Sequence, residues 1–139
     1  MLCIKNGLIH DAVTREAYKG DILVENGKIS AIGRDISVTE GTEIIDAEGL
    51  QVYPGFVEAH CHLGLDNYAC GFEGDDYNEM TDIICPQLHG CDGIYPQDPT
   101  LKMAAEGGVT CVATGPGSAN VLGGTFVAIK TVGKRVDKM

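Results

Sequence analysis

Apolar positions in the first fifty residues come in short runs. Leu2-Cys3-Ile4, Leu8-Ile9, Ile22-Leu23-Val24, Ile29-Ser30-Ala31-Ile32, Ile44-Ile45 and Leu50-Gln51-Val52-Tyr53 are separated by glycine and polar residues. Runs of this length and composition predict strands rather than helices. Asn6-Gly7 and Asn26-Gly27 each lie between two such runs. Asn-Gly in that setting signals a hairpin, because both central residues of a type I′ turn need positive φ. The segment is therefore expected to form a small antiparallel sheet.

The pattern then changes. Val52 to Val57 is read as a buried strand closing the apolar stretch that begins at Leu50, and residues 63–97 follow with little periodicity and many Gly, Asp and Pro. Loops of that length inside a compact domain are uncommon and often functional. Asp98-Pro99 predicts a helix start, since Asp caps well and Pro suits the first helical position. Leu101, Ala104 and Ala105 share one helical face, Gly107-Gly108 ends the helix, and Val109–Ala113 predicts another strand. Strand, helix and strand in this order make a βαβ unit, with a right-handed parallel crossover.

The chemistry concentrates where the apolar strand ends. His60 and His62 stand two residues apart. On a strand they would project to one face, with Cys61 turned away. Paired neutral imidazoles are good ligands for zinc or a similar divalent ion. The simpler reading is two ordinary polar residues at a strand end. The acids of the following loop (Asp66, Glu73, Asp75, Asp76, Glu79, Asp82) and His89 could reach such an ion, or could form a solvated surface.

These motifs, taken together, resemble the amino-terminal part of the amidohydrolase superfamily. The resemblance is carried by Glu25-Asn26-Gly27-Lys28-Ile29, by Ile45-Asp46-Ala47-Glu48-Gly49, and by Pro54-Gly55-Phe56 leading to His60-Cys61-His62. A later stretch, Gly117-Ser118-Ala119-Asn120-Val121-Leu122-Gly123-Gly124, resembles a subgroup related to imidazolonepropionase. The resemblance implies an α/β fold with an all-β amino-terminal part. Residues 1–51 would belong to a partial β-sandwich. Residues 52–139 would begin a (β/α)8 TIM-type barrel, left incomplete because such a barrel takes about 250 residues.

It further implies a metal-dependent hydrolase that cleaves a C–N bond of an amide or cyclic amide in a small-molecule substrate. His60 and His62 would hold one or two divalent ions, zinc first. In that family the other ligands, and the Asp that serves as general base, come from later strands, which this sequence does not include. Dihydroorotase-like members carry an Arg two positions after the second histidine, where this chain has Gly64. By itself the chain is expected to be inactive. The competing reading is a non-catalytic fragment, an assembly domain, or a metal-binding module without turnover. Unclosed strand edges predict a homo-oligomer, or loose packing around residues 63–97.

Composition narrows the field. Ten Lys and Arg against twenty Asp and Glu give a net charge of −10. Nucleic acid needs a basic footprint, and the basic residues between Lys130 and Lys138 are better read as a solvated strand exit or helix start. A Gly-rich phosphate loop is also disfavoured, because Gly133-Lys134 is followed by Arg135. No apolar run approaches the ~20 residues of a membrane helix, and no signal peptide is visible at Met1, so no membrane partner is expected and the cytoplasm is the expected compartment. The six cysteines lack Cys-x-x-Cys spacing. They are expected to be reduced, and a stand-alone zinc domain built on Cys61, Cys70, Cys85 or Cys91 is disfavoured.

Overall fold

The computed structural model describes residues 1–139, the side chain of residue 69 excepted. The chain divides into two compact units, Met1–Pro54 and Gly55–Met139.

The first unit is a five-stranded sheet built around β1 (Leu2–Ile9). β1 pairs antiparallel with β2 (Tyr18–Glu25), which pairs antiparallel with β3 (Lys28–Gly33). β4 (Glu43–Asp46) and β5 (Gln51–Val52) both run parallel to β1. The sheet is thus mixed, where antiparallel pairing alone was expected. Cys3, Ile9, Ile22 and Ala47 are buried in it, and Cys3 packs as a small hydrophobe.

The two Asn-Gly pairs behave differently. Asn26 and Gly27 have φ of 50° and 74° and close the β2–β3 hairpin, as expected. Asn6 has φ of 63°, yet β1 runs straight through it. It forms a bulge, because the register steps from Ile4↔Ile22 to Gly7↔Gly20. The reason lies in its partners. The Asn6 N–H donates to Asp21 Oδ1 at 2.9 Å, and its side-chain amide donates to Asp46 Oδ1 at 2.9 Å. Gly7 serves close approach instead of a turn, since a Cβ there would lie 2.6 Å from Val52 Cγ2.

The second unit contains a three-stranded sheet in the order β6 (Phe56–Cys61), β7 (Val109–Thr114), β8 (Val127–Lys130). The strand expected over 52–57 is thereby corrected to Phe56–Cys61. Gln51 and Val52 are committed to β1, and Pro54 has no N–H to give a ladder. The strand is also not buried: Phe56 is 58% and Val57 70% exposed, since β6 lies at the edge of its sheet among the described residues.

Helix α2 (Pro99–Glu106) links β6 to the parallel β7. Asp98 Oδ1 caps it by accepting from the Thr100 N–H at 2.8 Å. Gly107 ends it, and Gly108 follows with φ of 89°. β8 then returns antiparallel to β7. Leu65, Ile94, Leu101, Val112 and Ile129 form the core.

Residues 63–97 carry short helical elements that their composition does not predict. They hold a 3-10 segment (Tyr68–Gly74) and one helical turn, α1 (Gly90–Gly93). From Tyr77 to Gly90 they are hydrogen-bonded to the 115–125 segment. The six cysteines are free thiols. No helix among the described residues is long and apolar enough to cross a membrane.

Candidate metal centre

β6 delivers the histidine pair. His60 is its penultimate residue and His62 lies just past its end. Between them the Cys61 thiol turns toward β7, 3.6 Å from the Ala113 carbonyl. This is the alternation expected of an extended chain. The two imidazoles stand edge to face, with centroids 5.5 Å apart and planes at 84°.

Their surroundings differ. His60 is exposed and touches the Phe126 ring at a centroid distance of 4.9 Å. His62 is half-buried and lies nearly parallel to the Tyr77 ring, at 5.1 Å and 11°. Its Nδ1 is 2.7 Å from the Gly115 carbonyl oxygen. A carbonyl can only accept, so Nδ1 carries a proton, and in the neutral ring Nε2 keeps its lone pair. That tautomer is the one a ligand acting through Nε2 needs, and backbone carbonyls hold ligating histidines in this way.

The loop residues take other roles. Burial raises the Asp66 carboxyl above its usual range, helped by the neighbouring charge and hydrogen bond of Asp75 and by Asp98, while His62 opposes this. Glu79 accepts from the Thr81 hydroxyl and N–H, which hold its carboxyl low. Asp82 accepts from the Ile84 N–H at 3.2 Å, and His89 Nδ1 pairs with the Thr125 hydroxyl at 2.9 Å. Glu79, Asp82 and His89 thus organise turns and segment pairing. Among the described residues no group of three or more His, Cys, Asp or Glu side chains is placed to share a metal ion.

Tyr77, Gly115 and Phe126 were not singled out from the sequence as neighbours of the histidine pair. An aromatic residue inside a polar loop was the available signal for Tyr77. Tyr77 also lines a cavity of about 510 Å³, together with Leu65, Glu79, His89 and Pro116. Gly64 has φ of 85°, and a Cβ there would lie 3.0 Å from Ile94 Cγ2. A side chain at that position is strained whatever its chemistry.

No family model matches the chain. Among curated proteins it is 39% identical over 117 residues to amidohydrolase tasK of Hapsidospora irregularis, covering 81% of this chain and 12% of that protein. It is 36% identical over 95 residues to a dihydroorotase of Clostridium acetobutylicum, covering 68% of this chain and 20% of that protein. Among solved structures, an amidohydrolase from Thermotoga maritima superposes with a TM-score of 0.90 at 39% identity, over 99% of this chain and 35% of that one. The chain therefore spans only about a third or less of the relatives it matches. It belongs to the amidohydrolase superfamily, of which it represents an amino-terminal part.

Proposed function

We propose that the chain is part of a metal-dependent hydrolase that cleaves a C–N bond of an amide or cyclic amide in a small molecule. His60 and His62 would be two of the protein ligands to a divalent ion, zinc in the first instance. The observation that carries the reading is the His62 tautomer. Nδ1 is engaged by the Gly115 carbonyl at 2.7 Å, which leaves Nε2 as the free donor beside the His60 ring. Bound there, such an ion would polarise a carbonyl and lower the pKa of water. The donor set fits half a catalytic site, which usually has three protein ligands. The remaining ligands and the general base would come from outside these 139 residues.

Several features of the chain support the rest of the reading. The β6–α2–β7 unit is parallel and suits the first βαβ unit of a (β/α)8 barrel, with β8 an antiparallel excursion from it. The exposed apolar face of β6 suits covering by further chain or by a second copy, hence a homo-oligomer. Similarity to a dihydroorotase favours a cyclic amide as substrate. The strained Gly64 favours one not anchored there by a carboxylate. The imidazolonepropionase-related placement rests on the Gly117–Gly124 stretch alone.

For the 139 residues by themselves the second reading has its own support, since two donors without a third give no turnover. The test is made on the longest natural protein that contains this segment. His60→Ala/His62→Ala should abolish both bound zinc and hydrolysis of cyclic amides. Hydrolysis that survives the double substitution overturns the reading.

A further inference from the structure

The glycine-rich segment after β7 carries no titratable side chain from Gly115 to Phe126. It nevertheless runs along residues 77–90 as a seam. Gly117 N–H donates to the Tyr77 carbonyl. Ala119 N–H donates to Asn78 Oδ1 at 3.3 Å, and Val121 N–H to the Ile83 carbonyl at 2.9 Å. Cys85 N–H donates back to the Leu122 carbonyl at 2.6 Å, and Thr125 N–H to the Leu88 carbonyl at 2.9 Å. The glycines stand where the two segments crowd. A Cβ on Gly117 would collide with Asn78 and Tyr77, and one on Gly124 would lie 2.5 Å from the Leu88 carbonyl oxygen.

One side chain fastens the seam. The Asn120 amide donates to the Glu79 carbonyl at 2.8 Å and to the Asp82 carbonyl at 2.7 Å, spanning the turn that follows Tyr77. Its Oδ1 is buried with no partner among the described atoms. An unpaired buried acceptor is a cost that the two donated bonds must outweigh. At the start of the same seam lie the two groups that grip His62, the Tyr77 ring and the Gly115 carbonyl.

We infer that Tyr77 is a positioning residue that sets the orientation and tautomer of the His62 imidazole, and that Asn120 is the latch that holds Tyr77 against it. The inference rests on the proposed metal site for its use, but not for its test. Tyr77 packs on one face of the ring while the Gly115 carbonyl engages its edge. A partial rotation about χ2 of His62 would lose both contacts together. Opening the turn at 79–82 would release Tyr77, since the Tyr77 carbonyl and the Asn120 amide tie that stretch to the same strip of backbone.

The experiment reads the histidine directly. In the ¹⁵N-labelled chain without metal, at about pH 8 where a free imidazole is neutral, ring-nitrogen shifts report the tautomer and ring-proton shifts report stacking on Tyr77. The wild type should show His62 protonated at Nδ1, with ring protons moved upfield. Tyr77→Leu should remove the upfield shift and mix the tautomers, Asn120→Ala should move both in the same direction, and Tyr77→Phe should keep the wild-type signals. Zinc affinity, measured with the metal ion alone, should fall about tenfold or more in Tyr77→Leu and Asn120→Ala.

A single Nδ1–H tautomer and unchanged ring shifts in folded Tyr77→Leu and Asn120→Ala would overturn the inference. Should Asn120→Ala fail to fold, the Tyr77→Leu and Tyr77→Phe pair decides whether Tyr77 positions the ring, and Asn120→Ser, which keeps one donor, decides the latch by the same signals. Ring signals that respond as expected, while the longest natural protein containing the segment binds no zinc, would sink the metal reading and leave the positioning role standing. Zinc bound through both histidines, but indifferent to Tyr77 and Asn120, would do the reverse.

Discussion

The two histidines are neighbours on one strand end, but the molecule treats them unequally. His62 is half-buried, with a carbonyl on Nδ1 and an aromatic ring on one face. His60 stands on the exposed run of β6, with the Phe126 ring and His62 itself as its neighbours. One ring is held by this chain, and the other is only presented by it. The difference follows from position along the chain. His62 lies just past the strand end, where Gly115 and Tyr77 close on it, whereas His60 still belongs to the exposed strand. A site shared between segments can thus be half preorganised in one of them, with the geometry of that half fixed before any metal arrives.

Core substitutions should widen that contrast most. Leu101 is 1% exposed and packs in the cluster with Leu65 and Val112, whereas Val57 is 70% exposed on β6. Leu101→Ala should cost about 3–4 kcal/mol in urea unfolding of the chain, and Val57→Ala less than about 0.5 kcal/mol. Equal losses would mean that the β6 face is covered in solution, by a second copy or by other chain.

Held and unheld charges offer a comparable contrast. Asp21 is 4% exposed and accepts from Lys5 Nζ at 3.0 Å, from the Asn6 N–H and from the Ile36 N–H, both at 2.9 Å. Burial alone would raise its carboxyl, but the Asn6 N–H, the Lys5 ammonium and the Ile36 N–H outweigh it and the pKa is lowered. A group with a depressed folded pKa stabilises above its unfolded value and loses that contribution as pH falls through the folded one. Stability from Asp21 should therefore be full above about pH 4–5 and decline below it. Asp21→Ala should cost about 3 kcal/mol at neutral pH and flatten that acid limb. Lys102→Ala, which breaks an exposed pair with Glu106 at 3.6 Å, should cost less than about 0.5 kcal/mol. An unchanged acid limb in Asp21→Ala would show that other carboxylates govern it.

Gly115→Ala acts on the held histidine itself. A Cβ there would lie 2.6 Å from the Phe126 ring, so the ring or the backbone must move. The substitution should cost about 1–3 kcal/mol and weaken zinc binding by loosening the carbonyl on Nδ1. Full zinc affinity in this variant would show that the Gly115 carbonyl does not set the ligand geometry.

What could be read from the chain beforehand divides along local and non-local lines. The α2 start at Asp98-Pro99, the β2–β3 turn and the projection of Cys61 away from the histidines are local, and their residue types specify them. Asn6-Gly7 shows the limit of that reading. The same dipeptide that turns the chain at 26–27 only bulges it at 6–7, because Asp21 and Asp46 capture Asn6 from two other strands. The parallel β1–β4 and β1–β5 pairs were illegible for the same reason, since pairing partners distant in sequence leave no mark on a strand's own pattern. The His pair was legible as a motif, whereas its support was not. Nothing at Tyr77, Asn120 or Gly115 announces that a loop, a latch and a carbonyl converge on His62, and only the seam between the two segments brings them there.

The smallest expected effect is the sharpest test of the inequality between the histidines. His60→Ala removes an exposed ring and should change stability by less than about 0.5 kcal/mol. His62→Ala removes a hydrogen bond to a carbonyl and an aromatic contact, and should cost about 1–2 kcal/mol. Both should abolish zinc binding if the pair acts as one site, because an ion held by one imidazole alone is held weakly. Loss of zinc would then be shared between the two variants, while loss of stability would fall on one. If His60→Ala destabilised the chain as much as His62→Ala, the exposed half would have a structural partner in solution, and the division between a held ring and a presented one would fail.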